Sequence, residues 1–191
     1  MKHIGILGGS FDPPHRGHIY ISLEAKKILS LDEIWWLITP QNPLKIDRPA
    51  SYQERLNNCH NIVKKHPIYI KEIEKKINSR YSYNTIKYLL HHYSNIKFYW
   101  LMGADNLVNF NKWQKWRQFF NQISIVIFKR QGYNNAALKS ITSKTFENYQ
   151  IKSKKLNQMH FASLPSCTFI QNKEIRISST EIRKQRLLLR R

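Results

Sequence analysis

A chain of 191 residues, 41% of them hydrophobic and 23% charged, is sized for one packed core and has an ordinary globular composition, which excludes disordered and fibrous classes. Thirty-two basic residues against 12 acidic ones leave a formal charge of +20, and a nucleic acid or another polyanion is the sharp reading of that excess. The lysines are scattered rather than gathered in one arm, and Asn and Ile are abundant too; this favours a generally lysine-rich composition over a nucleic-acid surface, and such a charge would also steer phosphorylated substrates.

Residues 3–8 form an apolar run that reads as a buried strand. Gly8-Gly9-Ser10-Phe11-Asp12-Pro13-Pro14-His15-Arg16-Gly17-His18 follows it. From Arg16 to Leu29 the apolar positions Ile21, Ala25, Ile28 and Leu29 keep helical spacing. Strand, glycine turn and helix make a phosphate site, because helix-start amides and the helix dipole favour an anion. His15 and His18, three positions apart, fall on one side of the first turn and are candidate phosphate contacts. Ile34-Trp35-Trp36-Leu37-Ile38 is a second strand, which completes a βαβ unit and predicts a parallel sheet.

Gln41–Pro49 reads as a loop at the C-terminal end of that strand, where open α/β sheets contact ligands, and it carries Lys45. Ser51–Lys65 predicts a helix, Ile68–Ile70 a short strand and Glu72–Asn78 a charged connection. Arg80–Thr85 leads into a helix carrying Ile86, Leu89 and Leu90, which Ser82 or Asn84 could cap. Lys97–Met102 predicts a strand with Gly103-Ala104-Asp105 behind it. Asp105 is then either a helix cap or a carboxylate for a ribose diol. Phe110, Trp113, Trp116, Phe119 and Phe120 read first as core, although Trp113 lies in a polar, lysine-rich stretch where an indole could stack on a flat ring.

Ile123–Phe128 is the strongest buried-strand signal and ends at Lys129-Arg130-Gln131-Gly132. Ala136–Ile141 predicts a short helix, residues 142–166 are polar and irregular with no assignable role, and Thr168–Ile170 predicts a last strand. In the tail, Ser178 with Glu181 three residues on is a capping-box pattern. Its free amides, its hydroxyls and Arg183 one turn in make a second anion site.

The pattern predicts one domain over 1–191. Cys59 and Cys167 have no metal-ligand spacing and read as free thiols of a reducing compartment. The opening residues run at once into glycines, Asp12 and prolines, unlike a signal peptide, and no apolar run nears the ~18 residues of a membrane span. The expectation is therefore a cytoplasmic protein. Walker-type, Gly-x-Gly-x-x-Gly, zinc and nucleophile-elbow patterns are missing. A phosphate cradle with histidines and no nucleophile of its own suits direct transfer between two bound substrates.

Gly9–His18 resembles the (H/T)xGH motif of the adenylyltransferase branch of the nucleotidyltransferase superfamily, and Ile177-Ser178-Ser179-Thr180-Glu181-Ile182-Arg183 resembles its ISSTxIR signature. Thr39–Lys45 resembles the proline-rich, lysine-ended loop of the bacterial nicotinate-mononucleotide adenylyltransferases. Arg80–Ile86 is similar to their Tyr-Thr-x-x-Thr-Leu segment, and Gly103-Ala104-Asp105 with Trp113 to their Gly-x-Asp and downstream tryptophan. The resemblance implies a Rossmann-like α/β fold of nucleotidyltransferase type, a parallel sheet with helices on both faces. It implies adenylyl transfer from ATP to nicotinate mononucleotide, with Mg²⁺ held mainly by the ATP phosphates. His15, His18 and Arg183 would be catalytic. Gly8, Gly9, Ser10, Phe11, Gly103, Asp105, Ser178 and Ser179 would bind ATP, and Lys45, Ser82, Thr85, Trp113 and Arg130 the mononucleotide. Leu44 replaces a frequent histidine, Ser82 a usual threonine, Asn84 and Ile86 a frequent Asp and Leu, and Gln114 a frequent tyrosine; all bear on the mononucleotide pocket. The rival readings are a sister enzyme using nicotinamide mononucleotide or phosphopantetheine, a nucleotide-binding module without activity, and a basic nucleic-acid-binding protein. The sequence leaves the oligomeric state open.

Overall fold

The computed structural model describes residues 1–41, 49–173 and 175–189. Six strands, β1 (Lys2–Gly9), β2 (Glu33–Ile38), β3 (Ile68–Lys71), β4 (Ile96–Gly103), β5 (Ser124–Phe128) and β6 (Cys167–Ile170), form one sheet in the order β3-β2-β1-β4-β5-β6. Every pairing is parallel. The strands read as continuous apolar runs because both faces of the sheet are covered. Ile4, Ile6, Trp35, Leu37, Phe98, Trp100, Met102, Ile125 and Ile127 belong to one core cluster. Leu7, Ile34, Trp36, Ile38, Tyr99, Leu101, Val126 and Phe128 belong to the other. Helices α1 (Arg16–Ile28) and α2 (Tyr52–Val63) supply Ile19, Ala25, Leu56, Cys59 and Val63 to the second cluster.

Helices α3 (Ile73–Lys76), α4 (Ser82–His92), α5 (Ala104–Val108) and α6 (Trp116–Phe120) supply Ile73, Ile86, Leu89, Leu107, Phe119 and Phe120 to the first cluster. This strand order reverses direction between β1 and β4, so the C-terminal ends of these two strands, at Gly9 and Gly103, border the crevice where such sheets bind ligands.

Several expectations change. The charged connection 72–78 contains α3, which turns the Ile73 and Glu74 side chains inward. Neither Ser82 nor Asn84 caps α4: the cap position falls on Tyr81, without a side-chain bond, and Asn84 bonds Ser79 Oγ at 3.1 Å instead. Gly103, not Asp105, occupies the cap position of α5. The helix expected over 136–141 is two short ones, α7 (Asn134–Leu138) and α8 (Ile141–Thr145), because Ser140 caps the second by accepting from Ser143 N–H.

The segment 142–166 proves to cover the β6 edge and both core clusters. Phe146 stacks on Phe120 at 3.5 Å, Met159 is fully buried, and Ile151 exchanges hydrogen bonds with Cys167 and Thr168 beside β6. A last helix, α9 (Ser179–Leu188), carries no buried residue. Among the described residues no helix is long and apolar enough to cross a membrane. Both cysteines are free and buried, and burial pushes their thiols up to about 12.

Candidate active site

A cavity of about 500 Å³ opens over the C-terminal ends of β1 and β4. Its wall includes Gly8, Gly9, Ser10, Phe11, His15 and His18 from the opening turn, Gly103, Asp105 and Arg130 from the next strands, Ser82 and Trp113 from the far side, and Ser178 and Ser179 from the tail. Gly8 and Ser179, 171 positions apart in sequence, therefore face one space.

The two histidines begin α1 in a way the sequence did not announce. His15 is the N-cap, in extended conformation, and its Nδ1 accepts from Gly17 N–H at 3.1 Å. His18 Nδ1 accepts in turn from His15 N–H at 3.1 Å. This is a capping box built from imidazoles instead of Ser and Glu. Because both Nδ1 atoms are acceptors, the neutral rings carry their protons on Nε2. The rings stack at 3.8 Å. Burial, with Arg130's positive charge adding to it, lowers the His15 pKa to about 4, so at neutral pH His15 is an uncharged Nε2–H donor.

The opening turn is braced from behind. Phe11 sits in the left-handed region (φ 47°), a conformation costing about 1–2 kcal/mol that its surroundings must hold. Its ring stacks on Trp36 at 4.6 Å. Trp36 Nε1–H donates to Ser22 Oγ, which donates to the His18 carbonyl, each at 2.8 Å. A Cβ on Gly8 would stand 2.6 Å from the Trp100 ring, so only glycine permits this approach.

Arg55 of α2, 1% exposed, donates to the carbonyls of Ser10, Thr39, Pro40 and Ala50 at 2.7–3.0 Å. It ties the opening turn to the turn after β2. Sequence reasoning missed it, although an arginine on the apolar face with Leu56, Cys59 and Val63 was a readable signal.

At the end of β4, Asp105 Oδ2 pairs with Arg130 Nη1 at 3.3 Å, while Oδ1 is buried without a partner. Oδ1 is an orphaned acceptor on the cavity wall. A Cβ on Gly103 would lie 2.4 Å from Oδ1, so the glycine makes room for the carboxylate. Arg130 pairs with Asp105 and its charge also acts on His15.

Ser178 caps α9 by accepting from Glu181 N–H at 3.1 Å, and its hydroxyl also donates to the Glu181 carboxylate at 2.9 Å. Ser179 Oγ donates to Pro13 O at 2.9 Å. Arg183 donates to the Asp12 carbonyl, has the Asp12 carboxylate at 3.6 Å and reaches Thr180 Oγ1 at 3.4 Å. Arg183 therefore does not line the cavity; Asp12 holds it at the junction of turn and tail.

On the far side Trp113 is half-buried against Phe110, Trp100 and Phe119, and it also lines the cavity. The aromatic stripe is core at Phe110, Phe119 and Phe120 and cavity wall at Trp113. Thr85 is corrected: it is fully buried, donates to Glu74 Oε1 at 3.3 Å and does not reach the cavity, because its helical position faces inward. Glu74, 1% exposed, has its pKa pushed up to about 7 by burial, against the opposing influence of the Thr39 and Thr85 hydroxyls. Thr39, Arg80, Tyr83 and Lys112 also line the cavity. Lys45 lies outside the described residues.

The chain matches known proteins over nearly its whole length. The cytidylyltransferase-like family model matches residues 6–185. A probable nicotinate-nucleotide adenylyltransferase of Ruegeria sp. (strain TM1040) is 38% identical over 95% of this chain and 96% of its own length. One from Ruegeria pomeroyi is 35% identical over 94% of this chain and 84% of its own length. The solved structure of Plasmodium falciparum nicotinic acid mononucleotide adenylyltransferase complexed with NaAD shares the fold, with a TM-score of 0.71 at 21% identity over 96% of this chain and 83% of that one. The chain belongs to the cytidylyltransferase-like family and, within it, to the nicotinate-nucleotide adenylyltransferases.

Proposed function

We propose that the protein transfers the adenylyl group of ATP to nicotinate mononucleotide, yielding deamido-NAD and pyrophosphate. The observation that carries this reading is the convergence of two tautomer-locked histidines and the start of α9 on one cavity. An oxygen of the mononucleotide phosphate attacks the α-phosphorus in line. The new P–O bond forms as the bond to the β-phosphate oxygen breaks, and pyrophosphate departs. Such a transfer needs positioning and charge neutralisation more than covalent help.

His15 and His18 offer Nε2–H donors to the phosphate oxygens where charge builds up. Ser178, Ser179 and the first amides of α9 receive the β- and γ-phosphates. Arg183 exchanges Asp12 for a phosphate oxygen. Asp105 Oδ1 takes the adenosine ribose, which meets its unpartnered acceptor. The nicotinate ring lies by Trp113 and Ser82, with Arg80 and Lys112 as counter-charges to the mononucleotide.

The residues present fit Mg²⁺ as an ion carried by the triphosphate. Among the described residues, the carboxylates that line the cavity, Asp12 and Asp105, are paired with Arg183 and Arg130. Mg²⁺ commonly keeps its waters and phosphate ligands without a protein cage, and bound this way it neutralises phosphate charge.

Pyrophosphate release with ATP and either nicotinate or nicotinamide mononucleotide tests the reading. Faster turnover with the nicotinate substrate is expected, and a clear preference for the amide would overturn the substrate assignment. The same assay on phosphopantetheine separates the other sister activity.

A further inference from the structure

At the opposite end of β1 from the cavity, roughly 20 Å away along the strand, three side chains meet. His3 Nδ1 lies 3.0 Å from Tyr99 Oη, Tyr99 Oη 2.9 Å from His160 Nδ1, and His160 Nδ1 2.9 Å from His3 Nδ1. His3 opens β1, Tyr99 belongs to the adjacent β4, and His160 ends the helical turn Ser153–His160. Tyr99 is 0% exposed, whereas both histidines are half-buried with one side towards solvent.

Two protons are shared among the three edges of this triangle. A ring nitrogen donates when protonated or accepts when not, but never both; only the hydroxyl can do both. One N–H and one O–H then serve two of the three edges and leave the third without a proton of its own. With both Nδ1 atoms protonated, two N–H groups confront each other. The two imidazoles also do not meet head-on. Their planes cross at 71° with centroids only 4.1 Å apart, unlike a straight N–H···N bond. Three donors separated by 2.9–3.0 Å fit one face of an octahedron with bonds of about 2.1 Å, the length of metal–imidazole and metal–oxygen bonds.

We propose that His3, Tyr99 and His160 bind a divalent transition-metal ion of the imidazole-preferring class, distinct from any Mg²⁺ on ATP. The solvent side of the histidines leaves the remaining positions to water. Binding breaks the Tyr99 O–H bond, forms the metal–oxygen bond and releases the proton to solvent, so affinity rises with pH. Lys97, whose ammonium donates to the carbonyls of His160 and Ala162, repels the cation, and burial raises the pKa of the Tyr99 hydroxyl. Asp32, which accepts from His3 N–H at 2.6 Å, adds negative charge beside the site. The ion would staple the starts of β1 and β4 to the segment that covers the β6 edge.

The full-length protein, stripped with a chelator, is titrated with Zn²⁺ by calorimetry and with Cu²⁺ by absorption spectroscopy. One equivalent bound outside the cavity, a phenolate-to-copper charge-transfer band and a raised melting temperature are expected. Tyr99→Phe should remove the band, and His3→Gln or His160→Ala should weaken binding beyond the roughly 10–100-fold that loss of a supporting hydrogen-bond partner costs. His18→Ala, which removes an imidazole from the cavity instead, should leave this equivalent intact. The proposal is overturned if neither ion binds, or if Tyr99→Phe and His160→Ala, folded as judged by circular dichroism, bind as the unaltered protein does.

Discussion

The opening turn and the start of α9 face each other across one cavity, yet they are held in opposite ways. The turn is part of the core: Phe11, His15 and Trp36 are buried, Trp100 abuts Gly8, and Arg55 ties it down with buried hydrogen bonds. The tail helix buries nothing and reaches the turn through polar contacts of Ser179 and Arg183 with Pro13 and Asp12. Bonds of that kind are each worth about 1 kcal/mol and are readily exchanged for bonds to a ligand. In the proposed reaction the rigid half fixes the reacting phosphorus, where small displacements are expensive. The separable half holds the group that must leave, and release of product commonly limits such enzymes.

The contrast is broken most severely at Arg55. Arg55→Met leaves four carbonyls without their donor and should cost about 4 kcal/mol in urea unfolding, at 1–3 kcal/mol per orphaned buried group with partial relaxation. Next comes His18→Ala, which should lower kcat for pyrophosphate formation about 10²–10³-fold and stability by only about 1 kcal/mol through the lost cap partner. Turnover within a factor of about ten of the original would remove His18 from the chemistry.

Arg183→Ala probes the other half. Turnover should fall about a hundredfold, the share of a charge-assisted contact made late in the reaction, while urea stability changes by only about 0.5 kcal/mol. A loss of stability comparable to that of Arg55→Met would mean the tail is as integral as the turn.

A subtler test uses pH. Glu74, near pKa 7 in the folded chain, keeps its proton where the unfolded chain has lost it, so its contribution to stability falls as pH rises from about 4.5 to 7. His15, near 4 when folded, has the opposite sign: its contribution falls as pH drops from about 6.5 to 4. The two offset each other over their shared window. Glu74→Gln should unmask the His15 slope and gain about 2 kcal/mol at pH 8, as read from urea midpoints at pH 5 and 8. An unchanged pH profile would mean that Glu74 is already ionised in the folded chain. Smallest of all, Ser179→Ala should cost about 1 kcal/mol or less of stability and raise the KM for ATP more than it lowers kcat.

Much of this was legible before folding. β1, β2, β4 and β5 stand out because two-sided burial demands unbroken apolar runs, and both turns that meet at the cavity are contiguous in sequence. The stretches whose part in the core was not legible share a cause. In 72–78 and 142–166 a few inward residues, Ile73, Glu74, Phe146 and Met159, are separated by polar ones at no helical or strand period. Thr85 lies in a recognisable segment, but only the turn of α4 decides which of its residues face the cavity.

The sequence by itself determined the strand-forming segments, the glycines and histidines of the opening turn, and the capped helix start in the tail, since each is encoded within a few neighbouring residues. Only the tertiary structure decided the strand order, the capping role and tautomers of His15 and His18, the attachment of Arg183 to Asp12, and the bracing by Arg55. Those depend on backbone carbonyls and buried charges that residue identity does not reveal, and they become partners only when folding brings distant turns to the same edge of the sheet.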